Sequence, residues 1–158
     1  MIKKEAVDTL KRAGLLQPES VVLGRHNDLE HLVDFLPGYL KTPIGTASTG
    51  VHHVGSEEEL RAAVAHFARK GAFDDKGGKL LLQKEIRGPL LMIRSVFSHG
   101  RLIAWHSCIR TLEGVNGGAS KKISLPLPVV QEDLVALGGL LKWHGALSMD
   151  AILFEEKP

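Results

Sequence analysis

Apolar residues fall into short runs whose spacing alternates between helical and strand-like along the chain. From Lys3 to Ala13, the residues Ala6, Val7, Leu10 and Ala13 recur at helical spacing, and Gly14 supplies a stop. Ser20 to Leu23 reads as a short strand. Asn27 followed by Glu30 is a capping-box pair. With Leu29, Leu32, Val33 and Leu36 on one face, it predicts a second helix that Pro37-Gly38 breaks. Tyr39 to Lys41 then forms a strand ending in a lysine, followed by a loop rich in glycine and hydroxyl groups and a strand ending at Val54. Ser56 with Glu59 is another capping box. Leu60, Ala63, Val64 and Phe67 follow at helical spacing, Arg69 and Lys70 occupy the last turn, and Gly71 ends it.

Phe73 to Lys79 is polar and reads as a loop. Lys79 to Gln83 contains three consecutive leucines, and its shortness predicts a buried strand. Leu90 to Phe97 and Leu102 to Arg110 are strand-like runs joined by Ser98-His99-Gly100-Arg101, a hairpin signal. Leu112 to Lys122 reads as a loop, and Pro126 and Pro128 break the chain again. Gln131 to Trp143 carries Leu134, Leu137 and Leu141 on a helical face. Ala146 to Phe154 closes the chain as a strand, and Glu155 to Pro158 reads as a turn. Helices and largely antiparallel strands in this order predict an α+β fold, not the strict alternation of a doubly wound sheet.

Composition narrows the class. The 158 residues, 44% of them hydrophobic, suffice for one domain or two small lobes with a sizeable core. A net charge of +2 is too small to argue for nucleic acid. One cysteine excludes an internal disulfide framework and fits a reducing compartment. No apolar run is long enough for a signal peptide or a bilayer span, so a soluble cytoplasmic protein is expected.

Candidate chemistry centres on the loop of Gly45, Thr46, Ala47, Ser48, Thr49 and Gly50. Its small residues leave backbone N–H groups unencumbered, and successive N–H donors can cradle a phosphate chain. Lys41, just ahead of it, could add a positive charge. A solvated connection with a surface lysine explains the same residues. The stretch matches neither the Walker pattern nor the dinucleotide fingerprint.

Several short signals follow in order. They are Leu40-Lys41-Thr42-Pro43, Gly45 to Gly50, Ser56-Glu57-Glu58-Glu59-Leu60, and Leu82-Gln83-Lys84-Glu85-Ile86-Arg87-Gly88. Ser98 to Ala104, Arg110, Gly117-Gly118-Ala119-Ser120, and Trp143-His144-Gly145-Ala146 with Asp150 complete the set. Together they resemble the ATP-grasp superfamily, most of all the small carboligase branch near the carbamoyl-phosphate synthase large chain. The resemblance spans nearly the whole chain. It implies two small α+β lobes with antiparallel sheets enclosing a nucleotide cleft, lobe one at about 15–86 and lobe two at about 87–158 with helix 1–14. It also implies an ATP-dependent ligase forming C–N bonds, with ATP and magnesium, acting through an acyl phosphate. Lys41 would meet the α- and β-phosphates, and the loop from Gly45 to Gly50 would close over the phosphate tail. The backbone of Lys84 and Ile86 would pair with adenine, with the Gln83 side chain near its amino group. Arg110, Gly118 and Ser120 would face the γ-phosphate or acyl group, and Asp150 would be a magnesium ligand.

The chain departs from the family pattern in two places. Gly88 is followed by Pro89-Leu90-Leu91 where the family carries a carboxylate near the ribose. The family's final strand, with Glu-x-Asn-Pro-Arg, would come after Pro158, so the chain reads as a grasp core lacking the preceding domain and that strand. The alternative function is a non-catalytic nucleotide-binding or assembly module, such as half of a split enzyme. It would pair with a second copy or a completing chain through an exposed sheet edge beside the Asp150 strand. The histidines show no dependable zinc spacing, Cys108 reads as a buried small hydrophobe, and Trp105 and Trp143 read as core residues.

Overall fold

Among the residues described by the computed structural model (3–25, 29–44, 50–74, 79–114 and 119–154, without the side chains of Lys3, Lys4 and Ala119), strands form two four-stranded antiparallel sheets. Contacts divide the chain into two units. The first comprises Met1–Lys11 and Leu16–Glu85, and the second Arg12–Leu15 and Ile86–Pro158. The family resemblance, by contrast, implies that residues 1–14 go with the second lobe.

In the first unit, α1 (Lys3–Arg12) precedes β1 (Ser20–Leu23), β2 (Gly38–Lys41), β3 (Val51–Val54), α2 (Glu57–Arg69) and β4 (Leu80–Lys84). The sheet order is β1-β4-β2-β3. Strand alternation sends Leu23, Leu40, Val54, Leu80 and Leu82 to one face, where they pack on Leu60, Ala63 and Phe67 of α2. The capping box at α2 is present in modified form. Ser56 Oγ accepts from the Glu59 N–H at 3.2 Å, while Glu59 reaches back one residue further, to the Gly55 N–H at 2.6 Å.

The helix predicted before Pro37 is instead a 3₁₀ helix, Glu30–Phe35, with Leu29 at its N-cap and no side-chain cap. Asn27 lies outside the described residues. A residue before proline is driven to extended backbone, and Leu36 has φ −103° and ψ 144°. That ends the element at Phe35, and so short a segment gains little from α-helical propagation.

In the second unit, β5 (Leu90–Ser98), β6 (Arg101–Glu113), β7 (Ala119–Ser124), α3 (Pro128–Leu141) and β8 (Gly145–Ile152) form a sheet of order β7-β6-β5-β8 backed by α3. Ser98 pairs with Arg101 across a two-residue turn. Its central residues, His99 and Gly100, have φ of 48° and 89°, as a type I′ hairpin requires. Leu91, Ile93 and Phe97 pack on Val130 and Leu134 of α3. Trp105 and Trp143 pack against the same core, and Cys108 is buried.

Two expectations need correction. Pro128 does not break the chain but opens α3, because the first helical turn needs no N–H from it. Residues 112–122 are not all loop, since β6 runs to Glu113 and β7 starts at Ala119. The described β7 side chains up to Ser124 are exposed, so backbone pairing sustains this edge strand and no apolar alternation announces it.

Asp133 on α3 carries a carboxyl held above its ordinary value, first by burial and then by the adjacent Glu132 charge. A raised carboxyl penalises the folded state once it ionises. Below both its folded and unfolded values the proton is kept in both states and the penalty vanishes. Asp133→Asn is therefore expected to raise the urea midpoint near neutral pH and to leave it unchanged below about pH 3, as read by tryptophan fluorescence.

Candidate functional site

In the first unit, alternation places Tyr39 and Lys41 of β2, Gln83 of β4, Ser20 of β1 and His53 of β3 on the sheet face opposite the leucine core. Tyr39 pairs with Gln83 across β2 and β4, and Lys41 lies two pairs further along the ladder, on the same face. The Lys41 Nζ donates to Gln83 Oε1 at 2.5 Å, and Gln83 Nε2 donates to Ser20 Oγ at 3.3 Å. Ser20 in turn donates to the Pro18 carbonyl at 2.9 Å. The Lys41 ammonium also stands 5.9 Å from the centre of the Tyr39 ring, within cation–π range. Two residues far apart in sequence, both singled out for nucleotide contact, thus meet at one point.

Beside them lies a cluster that the sequence reading passed over. Glu85 Oε1 is 3.5 Å from both the Tyr39 hydroxyl and His53 Nε2. The Tyr39 and His53 rings meet edge to face, with centroids 5.1 Å apart. The available signal was strand period, because Tyr39 lies two residues before Lys41 and Glu85 two after Gln83. The Lys84 amide donates to the Glu19 carbonyl at 2.9 Å, and its side chain is 3.8 Å from the Glu19 carboxylate. Ile86 begins the second unit.

The base of the glycine-rich loop is closed by Thr42 N–H donating to the Gly50 carbonyl at 2.8 Å. Gly50 has φ of +77°, a left-handed conformation that suits glycine. Gly45, Thr46, Ala47, Ser48 and Thr49 lie outside the described residues.

In the second unit, Met92 pairs with both Cys108 and Asp150, so Asp150 (β8) and Arg110 (β6) share the sheet face opposite α3. Arg110 Nη2 is 3.1 Å from Glu113 Oε2. Asp150 Oδ1 is 3.8 Å from Arg94 Nη1, both side chains being at least half exposed. Such a pair contributes little to stability, yet it adds to this face a second guanidinium that the sequence reading missed. Arg94 sits two positions from Met92, where strand period alone would have placed it on that face. Ser120, expected in a loop, is an exposed residue of β7. Gly118 lies outside the described residues.

Among the described residues, no three His, Cys, Asp or Glu side chains gather as a metal site. Asp150 alone, an exposed carboxylate beside Arg94, would hold magnesium poorly, so most of the coordination would have to come from phosphate and water. No helix among the described residues is long and apolar enough to cross a membrane.

Neither a protein-family model nor a curated protein matches the sequence. Solved structures do. D-alanine–D-alanine ligase from Bacillus anthracis is 18% identical with a TM-score of 0.67, over 96% of this chain and 52% of that one. The biotin carboxylase domain of 2-oxoglutarate carboxylase from Hydrogenobacter thermophilus, solved with MgADP, ADP and bicarbonate, is 20% identical with a TM-score of 0.71. It matches over 98% of this chain and 37% of that one. The ATP-grasp ligase PsnB, complexed with a precursor peptide and AMPPNP, is 13% identical with a TM-score of 0.61, over 97% and 44%. The chain spans about half, or less, of the length of each of these proteins. With two antiparallel sheets and their helices matched almost from end to end, the chain has the ATP-grasp fold.

Proposed function

We propose that this chain is the Mg-ATP-binding core of a ligase that joins a carboxylate to an amine or thiol through an acyl phosphate. The observation carrying this reading is the hydrogen bond from Lys41 to Gln83, which gathers a phosphate-seeking cation and a base-reading amide on one sheet face. The fold supports it, as do the nucleotides named with two of the similar structures.

In this reading Lys41 neutralises the α- and β-phosphates, and the loop from Gly45 to Gly50 donates backbone N–H groups to the tail. Gln83 presents its amide to the adenine amino group. The Lys84 N–H is already engaged by Glu19, so the adenine contact of Lys84 falls to its carbonyl and that of Ile86 to its N–H. Arg110, with Gly118 and Ser120, stabilises charge on the transferring phosphoryl group. Asp150 would hold magnesium, whose contribution when bound is to neutralise phosphate charge.

The substrate carboxylate oxygen attacks the γ-phosphorus, the bond to the β-phosphate oxygen breaks, and ADP departs. The nucleophile then attacks the acyl carbon, loses its proton and expels phosphate. None of this needs a side-chain nucleophile. Positioning and charge neutralisation supply most of the catalysis.

One observation favours a second reading, a nucleotide-binding or assembly module without chemistry. Among the described residues β8, which bears Asp150, is the outermost strand of its sheet, and an open edge can accept a strand from a second copy or a completing chain. Calorimetric titration with ATP and magnesium, followed by assay of ADP and phosphate release over a panel of carboxylates and amines, separates the two. Both readings expect saturable binding, and only the ligase reading expects carboxylate-dependent release. Absence of binding sinks both.

A further inference from the structure

A histidine pair lies at the far end of the second unit's sheet, at the β5–β6 turn. His99 occupies the first central position of that turn, and His144 lies between α3 and β8. They are distant in sequence, and both are exposed, but their ring centroids are 4.4 Å apart with planes inclined at 40°.

The backbone around the pair is tightly built. Gly100 N–H donates to the Trp143 carbonyl at 2.7 Å, and Trp143 N–H donates to the Gly138 carbonyl at 3.2 Å. Trp143 Nε1 holds the Ala146 carbonyl at 3.2 Å. A Cβ on Gly138 would stand 2.6 Å from Phe97 Cδ1 and 2.8 Å from the Gly100 carbonyl. The bare glycine is what allows the end of α3 to approach the turn so closely. The two imidazoles are therefore brought together by fixed backbone.

We propose that His99 and His144 form a two-imidazole site for a borderline divalent transition-metal ion, zinc or nickel. Imidazole nitrogen is the preferred protein ligand of these ions. With metal–nitrogen bonds of about 2 Å and a near-tetrahedral angle, two ligating rings have centroids about 5 Å apart, which a small side-chain rotation reaches from the present spacing. The Ser98 hydroxyl, 3.4 Å from His99 Nδ1, engages one ring nitrogen and assigns the metal to the other. The C-terminal carbonyls of the fourteen-residue α3 end beside the pair, and their partial negative charge favours a cation. Lys142 and Arg101, the neighbouring cations in the chain, oppose the binding of a cation.

The other close histidine pair, His52 and His66 with centroids 5.3 Å apart, is the alternative host that the test must separate.

The test is calorimetric titration of zinc chloride into the full chain, with circular dichroism on every variant. His99→Asn suits the left-handed turn position and keeps it folded. The expected result is about one zinc ion bound per chain, weakened about tenfold or more by His99→Asn and by His144→Ala, and unchanged by His66→Ala. All three variants should melt as the parent chain does. An isotherm unaltered by His99→Asn and His144→Ala, a loss confined to His66→Ala, or no binding by the parent chain overturns the proposal.

Discussion

Gly38→Ala is expected to destabilise the first unit by about 3 kcal/mol, the upper range for overpacking a well-filled site. A Cβ at Gly38 would stand 2.5 Å from the Phe35 carbonyl oxygen and 2.8 Å from that of Gln83. Both are backbone atoms, so no side-chain rotation relieves the contact. Gly38 opens β2 opposite Lys84 and Val54, and pushing it outward loosens the register that holds Lys41 beside Gln83. Tryptophan fluorescence would miss this change, because both tryptophans pack in the second unit's core. Native-state hydrogen exchange at Leu40 and Leu82 would report it. Protection at those amides equal to that of the parent chain would show that β2 shifts without cost.

Lys41→Ala is expected to weaken Mg-ATP binding by roughly tenfold to a hundredfold. Hydrogen bonds to a charged group contribute about 1.5–3 kcal/mol, and about 1.4 kcal/mol corresponds to a factor of ten. Lys41→Arg should recover part of the loss, because it keeps the charge but changes the reach. Without nucleotide the variant should melt close to the parent chain, since Lys41 is only partly buried. Calorimetry with ATP and with AMP discriminates the role. A lysine serving the phosphate tail matters much more for ATP. Equal losses for both would move Lys41 away from the phosphates, and an unchanged ATP isotherm would remove it from the site.

Much of this architecture could be read from the chain because its signals are local. Ser56 and Glu59 cap α2, Gly71 with φ of +81° follows its end, and the His99-Gly100 pair turns the β5–β6 hairpin. Each depends on one or two residues and backbone geometry. The misreadings occurred where a neighbour overrode the local pattern. Leu29 to Leu36 has helical periodicity, but Pro37 truncates it to a 3₁₀ helix. Ala119 to Ser124 has no apolar rhythm, but β6 offers it a ladder of backbone partners. The candidate site shows the same division. Lys41 and Gln83 were legible as separate strand residues, and strand period puts Tyr39, Glu85 and Arg94 on the candidate-site faces of their sheets. The pairing of Glu85 with Tyr39 and His53, and of Arg94 with Asp150, depends instead on cross-strand register that linear spacing does not display.

The type I′ turn also bears on the order in which the second unit forms. It joins a nine-residue strand to a thirteen-residue one through only two residues. So short a closure loses little chain entropy, and hairpins of this kind assemble in about 1–10 μs. The other partner of β5 is β8, which lies beyond β6, β7 and α3 in the chain. During synthesis the ribosome releases β5 and β6 well before β8, so the hairpin can stand as a nascent template that the last strand finds already in register.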